Sequence, residues 1–137
     1  MVRAFISAEN PDYKKLPMRA NNARMYQLEH DLEVAGAKHV RSARFVDTSN
    51  GYTENSFVAD LPLSEAIRLG QAYQQESILV DGMGILNLHT FKVNPITAKH
   101  TGKSAERRTA FSVIFDGHEP KFVAYDIDFA KSRRLRR

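Results

Sequence analysis

At 137 residues the chain is the length of one ordinary domain, and it contains no cysteine, which excludes a disulfide scaffold, a thiolate metal centre and a cysteine nucleophile. The net charge of +4 falls to −1 without Lys131, Arg133, Arg134, Arg136 and Arg137. The basic balance therefore belongs to a carboxy-terminal tail over 131–137, able to make weak, salt-dependent phosphate contacts, and not to a domain over 1–130 that reads nucleic acid. No apolar run reaches the ~18 residues of a membrane span and the amino-terminal run is too short for a signal peptide, so a cytoplasmic protein is expected.

The first predicted element is a short strand over 2–8, ended by the turn signal Glu9-Asn10-Pro11. A loop leads to a helix whose Met18, Met25, Leu28, Leu32 and Ala35 recur at 3.5–3.6 spacing, with Gly36 as its carboxy-terminal cap. Alternation over 38–46 predicts a half-buried strand. The turn chemistry of Asp47-Thr48-Ser49-Asn50-Gly51 then folds it back on a second strand over 52–60. Pro62 or Ser64 opens a second helix with Ala66, Leu69, Gly70 and Tyr73 inward. A strand over 76–80 follows, turning at Asp81-Gly82-Met83-Gly84 into residues 85–93. The order β-α-β-β-α-β predicts an α/β domain of the ferredoxin-like kind, a two-layer sandwich. Residues 94–108 lack periodicity and predict a long loop, and 111–115 with 121–125 predict an additional carboxy-terminal hairpin.

Few side chains carry chemistry by spacing. The histidines at 30, 39, 89, 100 and 118 are scattered and no metal site is expected from them. Gly82-Met83-Gly84 joins two strands and reads as a turn, not a phosphate loop. Glu54, Ser56 and Val58 fall on one strand face by the period of two, placing a carboxylate beside a hydroxyl. Gln75 sits where the second helix gives way to a strand.

These segments resemble the phage S-adenosylmethionine lyases, formerly called S-adenosylmethionine hydrolases. Ile6-Ser7-Ala8 is similar to that family's Val-Ser-Ala strand end, and a helix with Arg24, Met25, Leu28 and Leu32 follows at a similar distance. Glu54-Asn55-Ser56-Phe57-Val58 resembles the segment that carries the family's essential glutamate. The run from Gln75 to Val80 resembles its Gln-Asp-x-Val-Leu-Val. The resemblance spans roughly residues 4–92. In the family a functional tyrosine precedes the glutamate; here Tyr52 or Phe45 stands in the corresponding place. The strand end Ser7-Ala8-Glu9-Asn10-Pro11 is also similar to Ser/Thr-Ala-x-Asn-Pro in bacterial proteins that would share the fold without the activity.

What the lyase resemblance implies is a homotrimeric enzyme, a phage counter-defence protein in the host cytoplasm. It would cleave S-adenosylmethionine to methylthioadenosine and homoserine lactone without a cofactor or metal. Glu54 and Tyr52 would act in catalysis, while Gln75, Ser7 and Ser56 would bind substrate. Glu54 would hold the substrate ammonium and Tyr52 would orient its cationic centre. Two other readings remain: a non-catalytic module that binds adenosine compounds, and a nucleic-acid or protein-interaction role led by the basic tail.

Overall fold

The structure is a computed structural model that describes residues 1–47, 51–100, 110–116, 119–127 and 133–134. The first six elements are β1 (Val2–Ile6), α1 (Met18–Val34), β2 (Lys38–Asp47), β3 (Tyr52–Leu61), α2 (Leu63–Ala72) and β4 (Ser77–Val80). They follow the predicted order. β1 lies between β3 and β4 and is antiparallel to both, and β2 pairs antiparallel with β3, giving the order β4-β1-β3-β2.

Alternation along the strands decides which side chains meet the helices. Ala4 and Ile6 of β1, with Phe57, Ala59 and Leu61 of β3, pack against Leu28 and Leu32 of α1 and Ala66 and Leu69 of α2. Burying such aliphatic side chains is worth ~1.5–3 kcal/mol each, which makes this layer the main source of stability. The predicted helix face is shifted at its start. Met18 is 77% exposed, and the buried residue of the first turns is Asn21. Gly36 caps α1 as expected: at φ 77° it sends its N–H to Glu33 O and lets the Ala37 N–H reach Leu32 O, the paired bonds of a Schellman end.

The second sheet face has its own smaller cluster, in which Ala43, Val58 and Ile114 pack with Phe5, Phe45 and Leu79. Strand β3 is thus buried on both sides over Ser56–Ala59.

Beyond β4 the chain builds more sheet than a single added hairpin. β5 (Gly84–Asn87) pairs with β4 and β6 (Lys92–Asn94) with β5, so the predicted run over 85–93 is two strands around a turn. Inside the predicted 94–108 loop lies β7 (Ile96–His100), paired with β9; residues 101–109 are outside the described residues. β8 (Ala110–Asp116) and β9 (Glu119–Ile127) form the expected hairpin, and β8 docks on β2. β10 (Arg133–Arg134) pairs with β6; the rest of the tail is outside the described residues. Among the described residues the result is one antiparallel mixed α/β sheet of ten strands, ordered β10-β6-β5-β4-β1-β3-β2-β8-β9-β7. It curls enough to bring β7 within 8 Å of β5, Cα to Cα. Among the described residues no helix is long and apolar enough to cross a membrane.

Candidate functional site

The second sheet face opens at one end into a cavity of about 110 Å³. It lies where β1 ends and β3 and β4 begin, because those strands run antiparallel. All five residues singled out from sequence, Ser7, Tyr52, Glu54, Ser56 and Gln75, line it, and so does Phe45. The register explains the grouping: Tyr52, Glu54 and Ser56 alternate along β3, and Phe45 of β2 stands opposite Glu54. Ser112, next to Phe45 on β8, completes that wall.

Glu54 is only half-buried by surface area, yet its carboxyl is pushed up to about 7. Loss of hydration is the largest cause. The Tyr52 hydroxyl pulls the other way, the nearby charge of Glu9 pushes further up, and the Ser7 hydroxyl pulls down. Tyr52 donates its hydroxyl proton to Glu54 Oε2. Burial, and then the charge and acceptor of Glu54, hold the Tyr52 phenol far above its ordinary range.

A strained turn carries a second aromatic ring to the mouth. Asn10, Asp12 and Tyr13 adopt φ of 47°, 52° and 59°, a conformation that costs side-chain-bearing residues ~1–3 kcal/mol each. The strain is held by specific bonds. Asn10 N–H donates to Asn21 Oδ1 (3.0 Å), and Asn10 Oδ1 accepts from Asn21 Nδ2 (3.0 Å) and from the Leu16 N–H (3.0 Å). Asp12 N–H donates to Gln74 O (2.8 Å). The Tyr13 ring consequently stands edge-to-face with Tyr52, centroids 6.2 Å apart at 73°. Its phenol is pushed up to about 12, by burial first and then by Glu76.

A polar frame that spacing did not reveal joins the elements around the cavity. Ser7 Oγ donates to Asn55 O (2.6 Å) and accepts the Glu9 N–H (3.0 Å). The Glu9 carboxylate, on a residue only 8% exposed, accepts the Asn55 N–H (2.7 Å) and Nδ2 (3.2 Å). Gln75 Nε2 donates to the carbonyls of Glu9 (2.9 Å) and Tyr73 (3.2 Å), which ties the α2–β4 junction to the end of β1. Arg24 of α1 donates to Ala8 O and Tyr73 O, both at 2.6 Å. Tyr73 packs its ring 5.5 Å beneath the Arg24 guanidinium and donates to Asp31 Oδ2 (2.5 Å). The available signal was the interruption of the apolar stripe by Asn21 and Arg24, polar residues that turn inward.

Two properties of the cavity constrain its ligand. Ser56 Oγ, on a residue 5% exposed, has no hydrogen-bond partner among the described residues, and such a buried group is paired in most folded proteins. The described lining contains the carboxyls of Glu54 and Glu76 but no Lys, Arg or His. Among the described residues no three His, Asp or Glu converge as metal ligands.

Residues 6–78 match the family described as Protein of unknown function (DUF3293), just over half of the chain. The chain belongs to the DUF3293 family. The DUF3293 segment contains every site residue predicted from sequence, together with Tyr13 and Glu76, whereas Leu79, Ile85 and Ser112 of the cavity wall lie beyond it. No curated protein and no solved structure matches the chain.

Proposed function

We propose that the cavity binds S-adenosylmethionine and promotes its cleavage to methylthioadenosine and homoserine lactone. The observation that carries the reading is Glu54: a carboxyl held in an aromatic-walled pocket whose described lining offers it no cation. A positively charged ligand supplies the missing partner, and its ammonium converts Glu54 to the carboxylate that burial disfavours.

The reaction needs little else from the protein. The substrate's own carboxylate attacks its γ-carbon, forming the lactone C–O bond. The C–S bond breaks, and its electron pair neutralises the sulfonium to the thioether of methylthioadenosine. No proton moves. Orientation of carboxylate and γ-carbon can supply ~7–11 kcal/mol of the barrier, and Glu54 contributes by engaging the ammonium so that the carboxylate is left to swing inward. Tyr52 fixes the Glu54 carboxyl through its hydrogen bond. Ser56 offers the ligand an unused hydroxyl. Gln75 and Ser7 act mainly as positioning residues, since the bonds they make are to neighbouring main chain.

The β4-β1-β3-β2 order supports placing the first six elements among ferredoxin-like folds. The cavity is smaller than the ~300–1,000 Å³ of a typical small-molecule site, so it suits the amino-acid end of the substrate. The adenosine would lie at the mouth against a neighbouring subunit of a homotrimer. Light scattering of the purified protein is expected to give three times the chain mass, and a monomer that still cleaves would remove the shared site.

Product analysis in ¹⁸O-labelled water tests the chemistry. The lactone route puts label only in the carboxyl of homoserine formed by later ring opening, whereas direct hydrolysis puts it in the side-chain hydroxyl. Methylthioadenosine with unlabelled hydroxyl supports the proposal; absence of methylthioadenosine ends it. The small cavity also favours a second reading, a binding module without turnover. Thermal stabilisation by S-adenosylmethionine with no product would select it.

A further inference from the structure

Inside the pocket Glu54 can satisfy one positive centre, but the mouth presents a second set of groups with the same preference. Glu76 follows Gln75 directly and lines the same cavity. Tyr13 lines the cavity with Glu76, with which its hydroxyl interacts, and its ring stands edge-to-face with Tyr52, the hydrogen-bond donor to Glu54. The turn that carries it is fixed in left-handed conformations at Asn10, Asp12 and Tyr13, and this backbone is pinned to α1 and to the α2–β4 junction. The aromatic edge of the mouth is therefore a built feature. A monovalent cation held by Glu54 leaves the Glu76 carboxyl still without a cation among the described lining residues. An independent sign that the cavity is shaped for an occupant is the buried Ser56 hydroxyl, which has no partner in its wall.

We propose that Tyr13 and Glu76 form a second cation subsite at the pocket mouth, and that the ligand carries two positive centres joined by a short aliphatic spacer. The inference deepens the functional reading above and rests on it for the identity of the ligand. In S-adenosylmethionine the two centres are the ammonium and the sulfonium, three carbons apart. The ammonium goes to Glu54, and the sulfonium lies over the Tyr13 ring beside Glu76. Cleavage turns the sulfonium into a neutral thioether, so the same subsite distinguishes substrate from product. Tyr13 and Glu76 thereby act as specificity-determining residues.

Isothermal titration of the purified chain with uncleavable probes tests this. Sinefungin carries an amine-bearing carbon in place of the sulfonium, and S-adenosylhomocysteine carries a neutral thioether there. 1,4-Diaminobutane and butylamine make the same comparison without adenosine. The wild type is expected to prefer sinefungin over S-adenosylhomocysteine by about tenfold and the diamine over the monoamine by about fivefold. Glu76→Gln and Tyr13→Leu are each expected to bring both ratios within about twofold. Ratios unchanged in both variants, or absent from the wild type, overturn the second subsite. If neither adenosyl compound binds while the diamine preference is present and disappears in Glu76→Gln, the subsite stands and the S-adenosylmethionine reading falls. If both adenosyl compounds bind equally to all three proteins, the reading of the site survives and the subsite does not.

Discussion

Glu54 sets the terms at the scale of single residues, because its environment works against its charge. Its carboxyl is raised from 4.5 to about 7, so the folded state holds the proton more tightly than the unfolded state does. The stability this confers is full below about pH 4.5 and is lost as pH rises through 7. At pH 8 the ionised group, partnered among the described residues by neutral hydroxyls and not by a cation, costs the fold on the order of 2 kcal/mol. Glu54→Gln is therefore expected to melt roughly 5 °C above wild type at pH 8 and alongside it at pH 5, measured by circular dichroism. A variant less stable than wild type at pH 8 would mean that the carboxylate has a cationic partner in the unliganded protein. Cation binding runs in the opposite direction, since it needs the ionised form. Affinity for sinefungin should fall roughly eightfold between pH 7.5 and pH 6 in the wild type, and Glu54→Gln should flatten that dependence. The alternation of Tyr52, Glu54 and Ser56 made these residues legible in the sequence. Tyr13 and Glu76 were not, because nothing in a linear pattern says that a left-handed turn lifts one ring beside another.

Between elements, the cavity depends on a polar frame in which three segments share main-chain acceptors. Arg24 serves the end of β1 and the end of α2 at once through Ala8 O and Tyr73 O. Hydrogen bonds from a charged donor are worth ~1.5–3 kcal/mol, and deleting the donor removes two of them, leaving Tyr73 O only the longer bond from Gln75. Arg24→Ala should therefore lower stability by about 3 kcal/mol in urea titration. It should also weaken ligand binding, because Gln75 and Tyr73 lose their anchor. A loss under about 0.5 kcal/mol would show that Arg24 is only a surface decoration of α1. Gly84 opens β5 at φ 127°, and a Cβ there would fall on the Asn94 carbonyl of β6. Gly84→Ala is expected to cost about 2 kcal/mol or more, since neither the backbone angle nor the neighbouring main chain can yield cheaply. The elements up to β4 were legible because periodicity, Gly36 and Pro62 all agreed. Beyond it β6 and β7 escaped notice: β6 is three residues that fold back on β5 within one apolar run, and β7 is five residues paired with the distant β9, so its register leaves little local trace.

Across the whole molecule, the basic tail and the pocket point to opposite partners. The positive charge that dominates the sequence is terminal, whereas the cavity is acidic and aromatic. The helices cover one sheet face, and the cavity lined by Glu54 opens on the other. This arrangement follows from β8 docking on β2, since without it Phe45 and Ala43 would lie on an open edge. The account reduces to one side chain placed to hold a cation while that cation's own carboxylate does the chemistry. Its most direct test is the initial rate of methylthioadenosine release from saturating S-adenosylmethionine, compared between wild type and Glu54→Gln at pH 7.5. A rate ~10²–10³ lower is expected in the variant, the scale of losing one preorganised electrostatic contact. Equal rates would contradict it.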